Sequence, residues 1–407
     1  MNKKIESFIN KNLEKTIKCN PKDDGTLIGL PYKYTIPCVS DMFQEMFYWD
    51  TYFTNVGLHL LGKTDLAKNN TDNMLYLVEK YGFMPNGSRT FFLNRSQPPY
   101  LSLMVKEVFE KTNDIEWLGK AYSTLKKEYD FWQNNKVLPN GLNGYTNYNT
   151  DIIDDKQEFF EGFLFRTGHK IDGEITEEIF EDICQAYSSV CESGWDCNSR
   201  VKAEGHYHNS VDLNSLLYAL ENNMQNFALI LKNGEEKLWE DRKLKRKEKM
   251  QVLWNGEDGI FADFNLKTNK FATYKTAANF YPLFVKLATE EQAGKTVKLL
   301  EKLELEYGIS SGERYGEWNC QWDYPNVWAP MQYLVYNALI NYGYEDDARR
   351  IAKKYVNLLE TAFEETGNFW EKYDGNTGKV TTNEYNAPAM MGWTMGVYVY
   401  FCNELNL

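Results

Sequence analysis

The chain has 407 residues, 43% of them apolar, and a formal net charge of −13. That excess of carboxylates argues against nucleic acid or an anionic membrane surface as partner, since both need a basic face. No apolar run reaches the roughly 18 residues of a membrane span, and the opening MNKKIESFINKNLEKTIKC lacks the apolar segment of a secretory signal, so the sequence reads as cytoplasmic.

Taken from the N-terminus, the first long connection covers 37–50 and ends in MFQEMFYWDTY, which offers Trp49 and Asp50 just before a helix over 51–61. A second helix over 66–80 leads to GFMPNGSRTFFLNRSQPPY (82–100), whose Asn86, Arg89, Arg95 and Gln97 are forked or amide groups suited to sugar hydroxyls. Helices follow over 100–111 and 116–134, then a connection at 141–170 and a helix over 175–190. CESGWDCNSR (191–200) sets Glu192 and Asp196 around Gly194 and Trp195. In the helix that comes next, Leu213, Leu217, Leu220, Met224, Phe227 and Leu231 recur at three- and four-residue steps, so one stripe faces a core. Beyond a helix over 236–252, GIFADFNLKTNKFA (259–272) reads as a two-stranded hairpin. Helices over 277–287 and 290–304 precede the connection 308–330, which contains QWDYPNVWAP. Helices over 328–342 and 345–362, the connection 367–386 with NFWEKYD, and a helix over 387–404 complete the chain.

About a dozen helices with so few strand signals predict an all-α fold, a double-layered (α/α)6 barrel of six helical hairpins. No fixed-period repeat and no Pro/Gly/Ser linker is present, so 1–407 reads as one domain. Connections longer than about 12 residues are usually functional or disordered. These carry too many aromatics for disorder, and they are expected to gather over one end of the barrel.

The seven scattered cysteines include no C-x-x-C pair, so the sequence suggests reduced, packed thiols rather than a disulfide framework or a zinc site. Of the four histidines only His206 and His208 lie close together, two positions apart, and no cysteine partners them on a metal. No metal and no cofactor is expected. Glu371, held between Trp370 and Tyr373, is a second acidic candidate beside Asp196, since an apolar wall makes a carboxyl useful near neutral pH. Two carboxylates without a metal set or a nucleophilic triad meet the minimal demand of glycoside hydrolysis. The 28 tyrosines and 11 tryptophans suit sugar rings as well as a core.

PNGSRTFFLNRSQPPY, ESGWDCNSR, QWDYPNVWAP, FWEKYD and NEYNAPAMMGWTMGV follow one another in the order and style of the trehalase family, which the chain resembles from about residue 30 to 405. The resemblance implies an inverting α-glycosidase that takes a small carbohydrate, with trehalose foremost. It implies Asp196 as general acid and Glu371 as general base. Asn86, Arg95, Gln97, Trp49 and Asp50 would contact sugar hydroxyls, with Phe43, Arg166, Trp195 and Gln321 beside them. Trp322 and Asp323 would form a rigid rim, one stacking on a sugar and the other binding its hydroxyls, and Glu384 would reach in from a lid. Met42 stands where the family has a sugar-contacting arginine, and Gly168 where it has a glutamate. These departures keep glucosylglycerate, mannosylglycerate and other α-glycosides open as substrates, together with a catalytically silent sugar-binding protein.

Overall fold

The computed structural model describes residues 1–145, 156–314, 320–382, 385–389 and 391–407. Its helices in chain order are α1 (Lys3–Leu13), α2 (Tyr48–Leu60), α3 (Thr64–Tyr81), α4 (Leu101–Thr112), α5 (Ile115–Asn135), α6 (Lys156–Thr167), α7 (Glu177–Glu192) and α8 (Val211–Leu231). They continue as α9 (Glu236–Lys249), α10 (Tyr281–Phe284), α11 (Glu290–Thr296), α12 (Leu300–Leu303), α13 (Ala329–Ile340), α14 (Glu345–Thr366) and α15 (Trp393–Leu405). Side-chain caps fix several starts: Asp114 accepts the Trp117 N–H at 2.9 Å, and Thr289 and Gln292 form a capping box on α11.

Six helices, α2, α4, α8, α10, α13 and α15, form an inner ring in which each packs on the next and α15 closes back on α2. An inner helix has neighbours on all sides, which is why α8 and α13 are apolar or buried around most of their circumference. The outer layer shows the opposite pattern. In α14 a stripe of Ile351, Tyr355, Leu358, Leu359 and Ala362 is buried while the remaining faces stay polar. Outer helices α3, α5, α9, α11 with α12, and α14 alternate in sequence with the inner ones, and α1 lays Phe8 against Phe363 of α14 with ring centroids 5.0 Å apart. This is the double-layered α/α barrel.

Three stretches differ from the sequence reading. The segments over 277–287 and 290–304 are broken into the short pieces α10, α11 and α12, and the backbone turns left-handed at Lys286 (φ 57°). Residues 156–167, expected within a connection, form α6, because Phe160 and Phe163 find Ile183 and Tyr187 of α7 and build a small second core. The hairpin forms through Phe264–Asn265 and Lys270–Phe271, with His208–Asn209 added as a third strand.

The connectivity places the functional end. Every turn from an inner helix to the next outer one is short, as at 61–63 and 113–114, whereas every long connection runs from an outer helix to the start of an inner one. All six long connections therefore gather on the rim that carries the inner-helix N-termini, where helix dipoles favour negative charge.

Candidate active site

Five of those six connections line a cavity of about 580 Å³ at this rim; the one leading from α9 to α10 does not contribute. Its size falls in the range of about 300–1,000 Å³ usual for small-molecule sites. Phe43, Trp49, Asp50, Asn86, Arg95, Gln97, Arg166, Asp196, Gln321, Trp322 and Glu371 all line it. Phe92 and Phe159 stand half-buried toward the mouth, and Trp328 and Trp393 are buried below.

Trp322 forms the floor of this cavity rather than a rim. It is buried, stacks on Trp328 with centroids 4.0 Å apart and planes 6° from parallel, and leans on Trp49 at 5.4 Å. Trp195, expected at the substrate, lies behind that floor: it is fully buried, packs on Trp322 at 5.2 Å and is covered by the Arg200 guanidinium. Asp323 requires a larger correction. It is buried and absent from the cavity wall, and its carboxylate accepts the Ser199 N–H and the Ser199 hydroxyl, each at 2.7 Å, and the Cys320 N–H at 3.3 Å. A carboxylate so engaged holds a loop instead of a sugar. Glu384 lies outside the described residues.

Asp196 follows α7 on a turn made by Gly194 in the left-handed region (φ 77°), where a Cβ would come within 2.8 Å of the Trp49 indole. Only glycine lets this loop lie so close to the ring. Glu371 precedes the strand Lys372–Asp374, which pairs antiparallel with Asn326–Trp328. QWDYPNVWAP is therefore bound to both carboxylate-bearing loops: to 372–374 by this ladder, and to 197–199 by Asp323, by the Trp322 N–H to Cys197 carbonyl bond (3.2 Å) and by a Cys197–Cys320 disulfide. The sequence-based expectation of reduced cysteines fails at this pair, whose Cα atoms are 5.3 Å apart across 123 residues.

The charges are arranged around these two acids. Loss of solvation pushes the carboxyl of the half-buried Asp50 up to about 8, and the fields of Glu371 and Asp196 add to the effect, which favours its neutral form at neutral pH. Tyr385 stands close to Glu371, and burial with that carboxylate beside it raises the phenol far above its usual range. Lys372 is fully buried 4.0 Å from Glu371, bonded to Gln321 Oε1 at 2.9 Å, with its ammonium 3.8 Å from the Tyr385 ring centroid. Gln97 Oε1 accepts the Trp49 N–H at 3.2 Å, and Arg95 bonds Asn94 at 2.8 Å while its buried Nε has no partner among the described residues. Tyr385 and Lys372 were missed from sequence; the only local signal was the crowding of FWEKYD and NEY with rings and charges. Met42 and Gly168 are not among the described residues that line the cavity.

The Trehalase family model matches residues 1–406. The chain belongs to the trehalase family. It is a glycoside hydrolase. It is 32% identical to the periplasmic trehalase of Xanthomonas axonopodis pv. citri over 93% of this chain and 69% of that protein. Its structure is similar to the neutral trehalase of Saccharomyces cerevisiae, with a TM-score of 0.80, 28% identity, and coverage of 98% of this chain and 80% of that one. It also shares its fold with the mannosylglycerate hydrolase of Thermus thermophilus, at TM-score 0.68 and 16% identity over 98% and 99% of the two chains. The trehalases from Xanthomonas and Salmonella carry the name periplasmic, which overturns the expectation of a cytoplasmic chain. Charge and hydropathy serve a globular enzyme equally in either compartment, and an odd cysteine count leaves room for one disulfide.

Proposed function

We propose that this trehalase-family enzyme hydrolyses trehalose with inversion, using Asp196 as the general acid and Glu371 as the general base. The observation that carries the reading is the presence of both carboxylates in one cavity, on two loops held by the same rigid segment. Asp196 protonates the glycosidic oxygen as the C–O bond breaks. Glu371 takes a proton from the water that attacks the anomeric carbon from the opposite face. The Tyr385 hydroxyl orients Glu371, and Lys372 offsets part of its charge.

Asp50 completes the charge balance as a neutral carboxyl, because a third anion beside Asp196 and Glu371 would raise the energy of the pair. In that state it donates to a sugar hydroxyl, as Arg95 does, while Asn86 and Gln97 add amide contacts. Trp49, Trp322 and Phe43 supply apolar faces for the sugar rings.

The test is proton NMR of the first glucose anomer released from trehalose, run beside glucosylglycerate and mannosylglycerate. Release of one β-glucose and one α-glucose per trehalose supports both substrate and inversion. α-Glucose alone would mean retention and would remove Glu371 from the role of base. Silence on trehalose with turnover of a glycerate glycoside would move the substrate but keep the chemistry.

A further inference from the structure

Asp196 sits between two anchor points. On its N-terminal side Gly194 packs on the Trp49 indole. On its C-terminal side the very next residue, Cys197, is bonded to Cys320, which in turn precedes Gln321 and Trp322 of the cavity wall. Two residues further on, Ser199 gives both its N–H and its hydroxyl to Asp323, at 2.7 Å each. Cys197, Ser199, Cys320 and Asp323 are each at most 2% exposed. The covalent and hydrogen-bonded links thus form one buried clamp that begins at the residue following the acid.

We infer that the Cys197–Cys320 bond and Asp323 are positioning elements for Asp196, fixing its carboxyl against the glycosidic oxygen. This rests on the reading of Asp196 as the proton donor. An acid must stand within hydrogen-bond reach of the atom it protonates, and a misplacement of about 1 Å costs about a hundredfold in rate. Trp195 packs the front of this loop against Trp322, and the clamp ties the residues that follow Asp196 to the segment carrying Gln321 and Trp322. The Glu371 loop needs no such bond, since the strand pairing of 372–374 with 326–328 already fixes it.

The experiment compares two substrates that differ in their need for an acid: trehalose, and α-glucosyl fluoride, whose leaving group departs without a full proton transfer. In the Cys197→Ser/Cys320→Ser double variant and in Asp323→Asn, kcat on trehalose should fall about ten- to a hundredfold with KM within about threefold, while turnover of the fluoride stays within about threefold of the parent. Retained fluoride turnover also shows that the variants are folded. Equal losses on both substrates, or no loss on either, would overturn the proposal.

Asp196→Asn is run in parallel: if it too loses both substrates equally, the acid assignment fails and not merely the clamp. Thiol titration of the denatured, unreduced chain should give five groups, matching the five free cysteines. A count equal to the full seven cysteines would remove the covalent half of the proposal.

Discussion

Gly57 of α2 and Gly396 of α15 meet backbone to backbone: a Cβ on Gly57 would stand 2.5 Å from the Gly396 Cα, and one on Gly396 would stand 2.0 Å from the Phe53 carbonyl oxygen. This crossing closes the inner ring a few residues below Trp49 and Trp393, which belong to the first turns of the same two helices. Gly→Ala inside a helix ordinarily stabilises by about 0.5–1 kcal/mol. Here the obstacle is backbone, which cannot swing aside, so Gly396→Ala should destabilise by about 1–3 kcal/mol or more and lower kcat/KM by shifting the tryptophan floor. A thermal melt settles the sign, and a raised Tm would show that the helices separate at no cost.

Arg200 is a second point of high leverage. Its guanidinium bonds Asp212 at 2.8 and 2.9 Å and Asp263 at 2.5 and 2.8 Å, and all three residues are buried. Arg200→Met would leave two carboxylates in the interior without their cation. Breaking a buried ionic pair in this way costs about 3–5 kcal/mol. Urea unfolding measures it directly, and a loss below about 1 kcal/mol would mean that water reaches both acids.

The fold was legible because its signals are local. The stripe from Leu213 to Phe227 marks a buried helix face whatever it packs on, and the long aromatic connections stood out by length and composition. What stayed hidden depends on partners far apart in the chain. Nothing near Asp323 says that its carboxylate will be spent on Ser199, 124 residues away, rather than on a ligand. An aspartate beside a tryptophan reads the same in either role. Cys197 and Cys320 are equally mute until the barrel brings their loops together, and Tyr385 is one tyrosine among 28 until its hydroxyl meets Glu371.

Glu128 is buried and Asp50 and Glu107 are half-buried, and loss of solvation pushes the Asp50, Glu107 and Glu128 carboxyls up to about 8, about 8 and about 7. Between their unfolded values near 4 and these folded values the native state binds more protons than the unfolded one, so stability falls as pH rises through that window. The melting temperature should therefore decline from about pH 5 to pH 8. Asp50→Asn mimics the neutral form and should flatten part of that slope, most visibly at the alkaline end. A variant slope equal to that of the parent would mean that Asp50 is ionised throughout.

Glu371 and Tyr385 should separate by chemistry. Glu371→Gln cannot take a proton from water and should abolish turnover, by about a thousandfold or more on the scale of base catalysis. Tyr385→Phe keeps the base but removes the phenol hydroxyl that stands beside it, so kcat should fall about tenfold with KM little changed. In Glu371→Gly, azide occupying the vacated space should restore glycoside cleavage and yield the β-glucosyl azide. Formation of the α-azide, or of none, would count against attack from the face that Glu371 guards.

Arg95 offers the clearest binding test. Its guanidinium lines the cavity over the Phe92 ring, 5.2 Å from the centroid, and one η nitrogen is committed to Asn94. The buried Nε has no hydrogen-bond partner among the described residues. An unmet buried donor costs about 1–3 kcal/mol, and a sugar hydroxyl that meets it recovers that energy on binding. Arg95→Ala should therefore raise KM about ten- to a hundredfold while kcat changes less, the pattern expected when ground state and transition state share a contact. Arg95→Lys should recover little, because an ammonium cannot bridge Asn94 and a ligand with the fixed fork of a guanidinium. If KM in Arg95→Ala stays within twofold of the parent, the substrate does not use this donor, and the hydroxyl contacts must come from Asn86 and Gln97 instead.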